Sequence, residues 1–216
     1  NGAMLIYMLD YFVNFTRDES LLTKECLQMM VEICEFYFDY ASFNEQFGHY
    51  AFLNVANIDG SLQYIDYHIL THFLVKEACT ITKKYLRRYK YKVTKKVQDH
   101  IDDLYLNIYI PLPNVDDLIF PYRNFLNDFE EERLATKEKK INVSADHLLI
   151  FMLFENKYND KVIKRNIEFY HKHLVTNLIN QWIYALIPRS VISTRAIKYF
   201  YNVASITESS LLVGED

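Results

Sequence analysis

Apolar residues recur at three- and four-residue steps along most of this chain, and that spacing predicts helices. The first covers 4–15, a run of apolar and aromatic side chains broken by Thr16-Arg17-Asp18. Asp18 reads as the N-cap of a second helix reaching about Tyr40, with Glu19 in its first turn to suit the dipole. In that helix Leu22, Cys26, Met29, Met30, Ile33, Phe36 and Tyr37 form the apolar face, and Lys24, Glu32, Glu35 and Asp39 fall between them. The pattern changes over 41–55. There Asn, Glu, Gln and Gly48 precede Tyr50-Ala51-Phe52-Leu53, which reads as a short strand or hairpin. A third helix is expected from Asp66 to about Arg88 and a fourth from Thr94 to Tyr109, ended by Pro111 and Pro113. Residues 114–127 read as an extended loop and 129–142 as a charged surface helix or loop. Ser144-Ala145-Asp146 is expected to cap an apolar helix from His147 to Phe154, and Asp160 to start one reaching about His173. Leu178 to Leu186, stopped by Pro188, and Thr194 to Ile206 complete the set, with a frayed end at 214–216.

That makes about eight helices in four rough pairs, with no strict repeat between them. Their apolar surfaces are broad, so each packs against several neighbours. The expectation is a single helical domain over 1–216, with Asn1-Gly2-Ala3 either a tag remnant ahead of a native Met4 or part of a helix continuing from a longer chain. Composition agrees: half the residues are hydrophobic, and 4 Gly and 4 Pro are too few for a β-sandwich. The net charge of −4 gives no global case for nucleic acid. No apolar run approaches the roughly 18 residues of a membrane span, and no leader peptide is expected. Cys26, Cys34 and Cys79 lie in apolar helical patterns. An odd count without paired spacing argues for free thiols in a reducing compartment, which points to the cytoplasm.

Candidate chemistry concentrates between Asn57 and Lys76, where a polar loop with Asp59 and Gly60 runs into an apolar helix carrying Asp66, His68 and His72. His68 and His72 stand four residues apart, a spacing that can chelate a metal. The intervening Glu of a zinc-protease motif is missing, and no metal is expected. Lys83 to Lys96 holds eight Lys or Arg interleaved with Tyr85, Tyr89 and Tyr91, either an anionic-surface patch or a solvated helix corner neutralised by Asp99, Asp102 and Asp103. Arg165, His171 and His173 can bind an anion, or can be cations suiting a helix C-terminus. No Gly-rich phosphate loop, Ser-His-Asp arrangement or Cys-x-x-Cys occurs.

Several short landmarks follow one another in a telling order. Tyr11-Phe12-Val13-Asn14-Phe15 leads into Thr16-Arg17-Asp18. Asp66, Thr71, Phe73 and Lys76 then fit, without a gap, an Asp-Asn-Asn-Ala-Tyr-Thr-Asn-Tyr-Met-Ala-Lys pattern. Tyr109-Ile110-Pro111, Leu118-Ile119-Phe120, Val143-Ser144-Ala145-Asp146, Lys164-Arg165-Asn166-Ile167-Glu168-Phe169-Tyr170 and Arg195-Ala196-Ile197-Lys198-Tyr199-Phe200 come after it. In this the chain resembles the catalytic domain of glycoside hydrolase family 65, the inverting phosphorylases of maltose, trehalose and kojibiose. The resemblance implies an all-α fold, about the second half of an (α/α)6 toroid-type barrel, with a short β-hairpin before the catalytic loop. It implies an α-linked disaccharide or glucoside as substrate and inorganic phosphate as co-substrate, with no other cofactor. It places the catalytic loop on Asn57-Ile58-Asp59-Gly60-Ser61-Leu62.

The departures from the family shape the expected function. The family's general-acid Glu falls on Gly60, which has no proton for the leaving oxygen of an inverting cleavage. Asp59, one residue out of register, is either a surrogate acid or an ordinary turn residue. Asp66, His68 and His72 are implied at the sugar, and Arg165, His171 and His173 at phosphate. The family's phosphate loop itself falls on Thr176-Asn177-Leu178-Ile179, with its hydroxyl donors and His gone. Two readings follow: a carbohydrate-active domain with impaired catalysis, or a non-catalytic sugar-binding or helical interaction module. In either, a homodimer or the missing half of the barrel is expected to cover an exposed apolar flank.

Overall fold

The computed structural model describes residues 2–57, 64–136, 145–154 and 157–174. The expected helices at 178–186 and 194–206 lie outside these residues, as does the end at 214–216. Backbone contacts divide the chain into two units: Asn1–Leu53 with Thr71–Ile110, and Asn54–Leu70 with Pro111–Asp216. The described residues are mainly helical, with one two-stranded hairpin. Among them no helix is long and apolar enough to cross a membrane.

In the first unit, α1 (Gly2–Thr16) buries Ala3, Ile6 and Val13. It approaches α2 (Lys24–Tyr40) closely: a Cβ on Gly2 would sit 3.0 Å from the Ile33 Cγ2. The start of α2 differs from the expectation. Arg17 adopts a left-handed φ of 65°, and the Asp18 Oδ1 accepts from the Ser20 N–H at 2.8 Å, closing a turn of its own. The cap is Thr23, whose hydroxyl accepts from the Cys26 N–H at 3.2 Å. The buried face is also rotated. Leu27, Met30, Val31, Cys34 and Tyr37 face inward, while Phe36 is 60% exposed.

β1 (Ser42–Asn44) and β2 (His49–Ala51) pair antiparallel with Phe43 opposite Tyr50. Gly48, at φ 64°, takes the left-handed turn that the connection requires. α3 (Ile69–Arg88) begins three residues later than expected, and its first two residues group with the other unit. α4 (Lys95–Asn107) starts one residue later and ends two residues earlier than expected, with Thr94 as its cap. Its His100 stacks on Phe38 at 4.0 Å and meets the Glu35 carboxylate at 3.0 Å, binding α4 to α2. The Tyr50 hydroxyl donates to Asp103 at 2.6 Å, and burial first, then that carboxylate, pushes the phenol up to about 12. Three of the eight cations of the basic run are ion-paired within the unit. Lys83 pairs with Asp102, Lys84 with Asp10 and Arg88 with Glu19, while the hydroxyls of Tyr85, Tyr89 and Tyr91 donate to Asp10, Glu19 and Gln28.

The second unit contains α5 (Phe125–Thr136), a 3-10 turn (Asp146–Leu149) continuing into α6 (Ile150–Leu153), and α7 (Asp160–His173) capped by Asn159. The turn at Asp146 differs from the plain capped helix expected there, and no side chain caps it. Phe125 is fully buried, with its ring about 6 Å from those of Phe120, Tyr122, Phe129 and Tyr170.

The stretch before α5 has no regular structure, so side chains must satisfy its buried backbone. Asn166, buried on α7, does most of this. Its Oδ1 accepts from the Ile119 N–H at 2.8 Å, and its amide donates to the Asp117 and Val162 carbonyls, each at 2.8 Å. The Tyr170 hydroxyl donates to the Ile119 carbonyl at 2.7 Å. Asn166→Ala strands the buried Ile119 N–H, so a loss of about 2–3 kcal/mol is expected in urea unfolding, against about 1 kcal/mol for Tyr170→Phe. Equal, small losses would show that the segment is held by other means.

Candidate functional site

The chain around the implied catalytic loop is pinned at its root. Val55 and Ile65 exchange two backbone hydrogen bonds, 3.0 Å and 2.9 Å, across an isolated antiparallel bridge. Just outside that bridge the Asp66 Oδ1 accepts from the Asn54 N–H at 3.0 Å. Asn54, Tyr64 and Tyr67 all have left-handed φ values, 54°, 61° and 60°. Asn tolerates that region; for two bulky tyrosines it stores strain of about 1 kcal/mol or more each, held by the surroundings.

Those surroundings are the segment that Asn166 fixes. The Arg123 N–H donates to the Asp66 carbonyl at 3.1 Å, and the Ile69 N–H donates to the Pro121 carbonyl at 3.0 Å. The Arg123 guanidinium lies over the Tyr67 ring at 5.4 Å. Asp59 and Gly60 lie outside the described residues.

Asp66 therefore acts first as a latch on the loop root. His68 precedes α3 rather than lying on it, and it is buried. Its Nε2 stands 3.4 Å from both carboxylate oxygens of Asp146. His72 belongs to the first unit, and its Nε2 accepts from the Phe52 N–H at 3.2 Å. A backbone N–H only donates, so in this arrangement the proton of His72 sits on Nδ1. Its ring packs on Phe52 at 5.1 Å and Tyr109 at 5.9 Å. The i,i+4 spacing of the two histidines thus conceals two separate commitments. Among the described residues no group of three or more His, Cys, Asp or Glu is placed to hold a metal.

Arg165, His171 and His173 all lie on α7. Arg165 is exposed and the two histidines are half-buried. Residues two apart on a helix point about 160° away from each other, so His171 and His173 do not converge on one anion. His173 packs against Phe129 and Phe169, and burial first, then the charges of Lys172 and Arg165, hold its pKa below the usual range.

The pattern-based reading passed over Asp146 as a cap and His147 as the first apolar-helix residue. Both are buried, with His68, inside the second unit. Neither ring nitrogen of His147 has a hydrogen-bond partner among the described residues, and its ring meets Tyr170 edge-on at 4.2 Å. Burial pushes its pKa down from 6.5 to about 3. The Asp146 carboxylate opposes that shift, and His68 adds to it. A polar residue opening an otherwise apolar run was the available clue, in Asp146-His147-Leu148-Leu149-Ile150.

The family model described as "Glycosyl hydrolase family 65 central catalytic domain" matches residues 1–136. The match takes in the loop with Asp59 and the positions of Asp66, His68 and His72; Asp146, His147 and all of α7 lie beyond it. Among solved structures, "Putative kojibiose phosphorylase from human microbiome" is similar with a TM-score of 0.70. The similarity covers 97% of this chain at 15% identity, and 33% of that protein. At that identity the likeness shows the fold, helices of the (α/α)6-barrel type with a short hairpin. The chain spans about a third of that relative's length. No match was found among curated proteins.

Because His147 is neutral when folded and binds a proton more readily when unfolded, its contribution is complete above pH 6.5 and is lost as pH falls from there toward 3. The expected slope from this one group is about 1.4 kcal/mol per pH unit inside that window. Urea unfolding at several pH values should show the slope reduced by that amount in His147→Leu. An unchanged slope would mean that the ring is not held neutral.

Proposed function

The chain belongs to the glycosyl hydrolase family 65 central catalytic domains, and on that premise we propose that it is a divergent α-glucoside-handling domain whose cleavage chemistry is impaired. The observation that carries the reading is the residue at the general-acid position, Gly60. Inverting cleavage requires a carboxylic acid to protonate the leaving oxygen while a second group acts on the opposite face of the ring. Glycine supplies no proton.

The neighbouring groups support the same reading. The Asp66 carboxylate accepts the Asn54 N–H, and the Asp146 carboxylate faces His68. Both are engaged in holding the site's framework. The phosphate side is weakened in parallel, because Arg165, His171 and His173 stand in different directions around α7 and Leu178 and Ile179 occupy the implied phosphate loop. An α-linked glucose disaccharide remains the ligand class that the family suggests, and kojibiose is the sugar named for the structural relative. The three free thiols fit a reducing compartment such as the cytoplasm.

One feature favours a second reading. Asp59 adjoins the lost acid, and a loop absorbs a one-residue shift more readily than a helix does. In that case slow phosphorolysis survives with Asp59 as the acid.

The assay is phosphate-dependent release of glucose 1-phosphate from maltose, trehalose and kojibiose, with calorimetry on the same sugars. The expected outcome is sugar binding without turnover. Turnover that disappears in Asp59→Asn would establish the second reading instead. Neither binding nor turnover would leave a helical interaction module.

A further inference from the structure

Two of the three cysteines meet in the core of the first unit. Cys34 lies on α2 and Cys79 on α3, 1% and 0% exposed. The Cys79 thiol donates to the Cys34 sulfur, and the Cys34 thiol donates onward to the Thr82 hydroxyl at 3.4 Å. Thr82 stands three residues after Cys79, on the same side of α3. The three side chains form one polar thread through an apolar core, with the two sulfurs adjacent along it. Cys26 takes no part. It is half-buried near the start of α2, about 12 Å along the helix axis from Cys34.

The surroundings favour a nucleophile at Cys34. The hydrogen bond from Cys79 is the largest influence and holds its thiol below the ordinary value; burial opposes that shift, the Thr82 hydroxyl adds to it and the Glu35 charge opposes it. The same bond first, then burial, raises Cys79, while Lys83 and Lys76 of α3 work against the rise. Those two ammonium groups lie over the Tyr105 ring at 4.4 Å and 4.7 Å, which fixes positive charge beside the pair. A thiolate forming there has a hydrogen-bond donor and cations to hold it. An isolated buried thiol has neither and stays inert.

We propose that Cys34 and Cys79 are a dithiol site for a peroxide, closing to a disulfide that ties α2 to α3. The Cys34 thiolate attacks one peroxide oxygen; the O–O bond breaks, hydroxide leaves, and Cys34 becomes a sulfenic acid. The Cys79 thiolate then attacks the Cys34 sulfur; the S–O bond breaks and a second hydroxide leaves. The two thiol protons convert the hydroxides to water, so two thiols and one peroxide give one disulfide and two waters. Peroxide is small enough to reach the pair through local opening of the helices. In a reducing compartment such a bridge is transient. The ring it closes runs from 34 to 79 and takes in the hairpin, the Val55–Ile65 bridge and the Asp66 latch. Closing that ring constrains the unfolded chain and so favours the folded one. The dithiol uses no residue of the proposed sugar site and stands apart from that reading.

Hydrogen peroxide on the folded full chain, followed by quenching, alkylation in urea and peptide mapping, tests this. Cleavage after glutamate separates Cys26 from Cys34 at Glu32 and releases Cys79 after Glu77. Cys34 and Cys79 are expected in one cross-linked pair of peptides, lighter by two hydrogens, with the free thiols falling from three to one. Dithiothreitol should restore all three, and the bridged form should unfold at a higher urea concentration than the reduced one. Cys34→Ser and Cys79→Ala should each abolish the bridge, while Cys26→Ser leaves it intact. The wild-type peptide map decides the question even where a core variant fails to fold. Three thiols surviving in the folded protein overturn the proposal. So does a bridge that involves Cys26, one that forms only in urea, or oxidation of Cys34 past sulfenic acid with Cys79 left free. A bridged form that unfolds at lower urea overturns the tether.

Discussion

A backbone without helix or strand has to find partners for every buried N–H and C=O, and in the second unit one side-chain amide meets most of that demand. Asn166 uses both donors and its acceptor on Ile119, Asp117 and Val162. The segment it fixes then reaches back through Arg123 and Pro121 to Asp66 and Ile69. The placement of the loop root, the strain at Tyr64 and Tyr67, and the start of α3 all follow from that anchor. The family landmarks around Leu118-Ile119-Phe120 and Lys164-Arg165-Asn166 are far apart in the chain yet are two halves of one hydrogen-bonded joint.

Charge near the loop is organised for cohesion. A carboxylate that accepts a backbone N–H, or faces a buried imidazole, is stabilised where it stands and is less available to a substrate. His147 goes further, since a neutral buried ring with neither nitrogen satisfied among the described residues costs stability. Such a residue marks a place where packing against Tyr170 outweighs polar satisfaction.

Most of the helical frame was legible in the apolar spacing. The start of α7 at Asp160 and the hairpin around Gly48 sit where the sequence pattern places them, and α4 starts within one residue of its expected position. The misreadings have local causes. Asp18 looks like a cap, but Arg17 turns left-handed and Asp18 closes its own turn, which hands the cap to Thr23. The inward face of α2 was misjudged although Glu25, Gln28, Glu32, Glu35 and Asp39 recur at three- and four-residue steps and mark its polar side, which leaves Leu27, Met30, Val31, Cys34 and Tyr37 on the other. At the site, i,i+4 spacing suggested that His68 and His72 act together. His68 precedes the helix, and tertiary partners such as Asp146 and the Phe52 N–H leave no trace in local spacing. Asn166 was visible only as part of a landmark, because its role depends on a segment 47 residues away.

The bridge between Val55 and Ile65 has an evolutionary corollary. Its two bonds are made by main-chain atoms, so they do not depend on which side chains the intervening residues carry. A side-chain replacement in the segment between them removes none of the hydrogen bonds of the joint, the Asp66 latch or the Asn166 anchor. The root of the loop is thereby insulated from change in the loop itself: the segment between Val55 and Ile65 can vary in sequence while the scaffold around it keeps its shape.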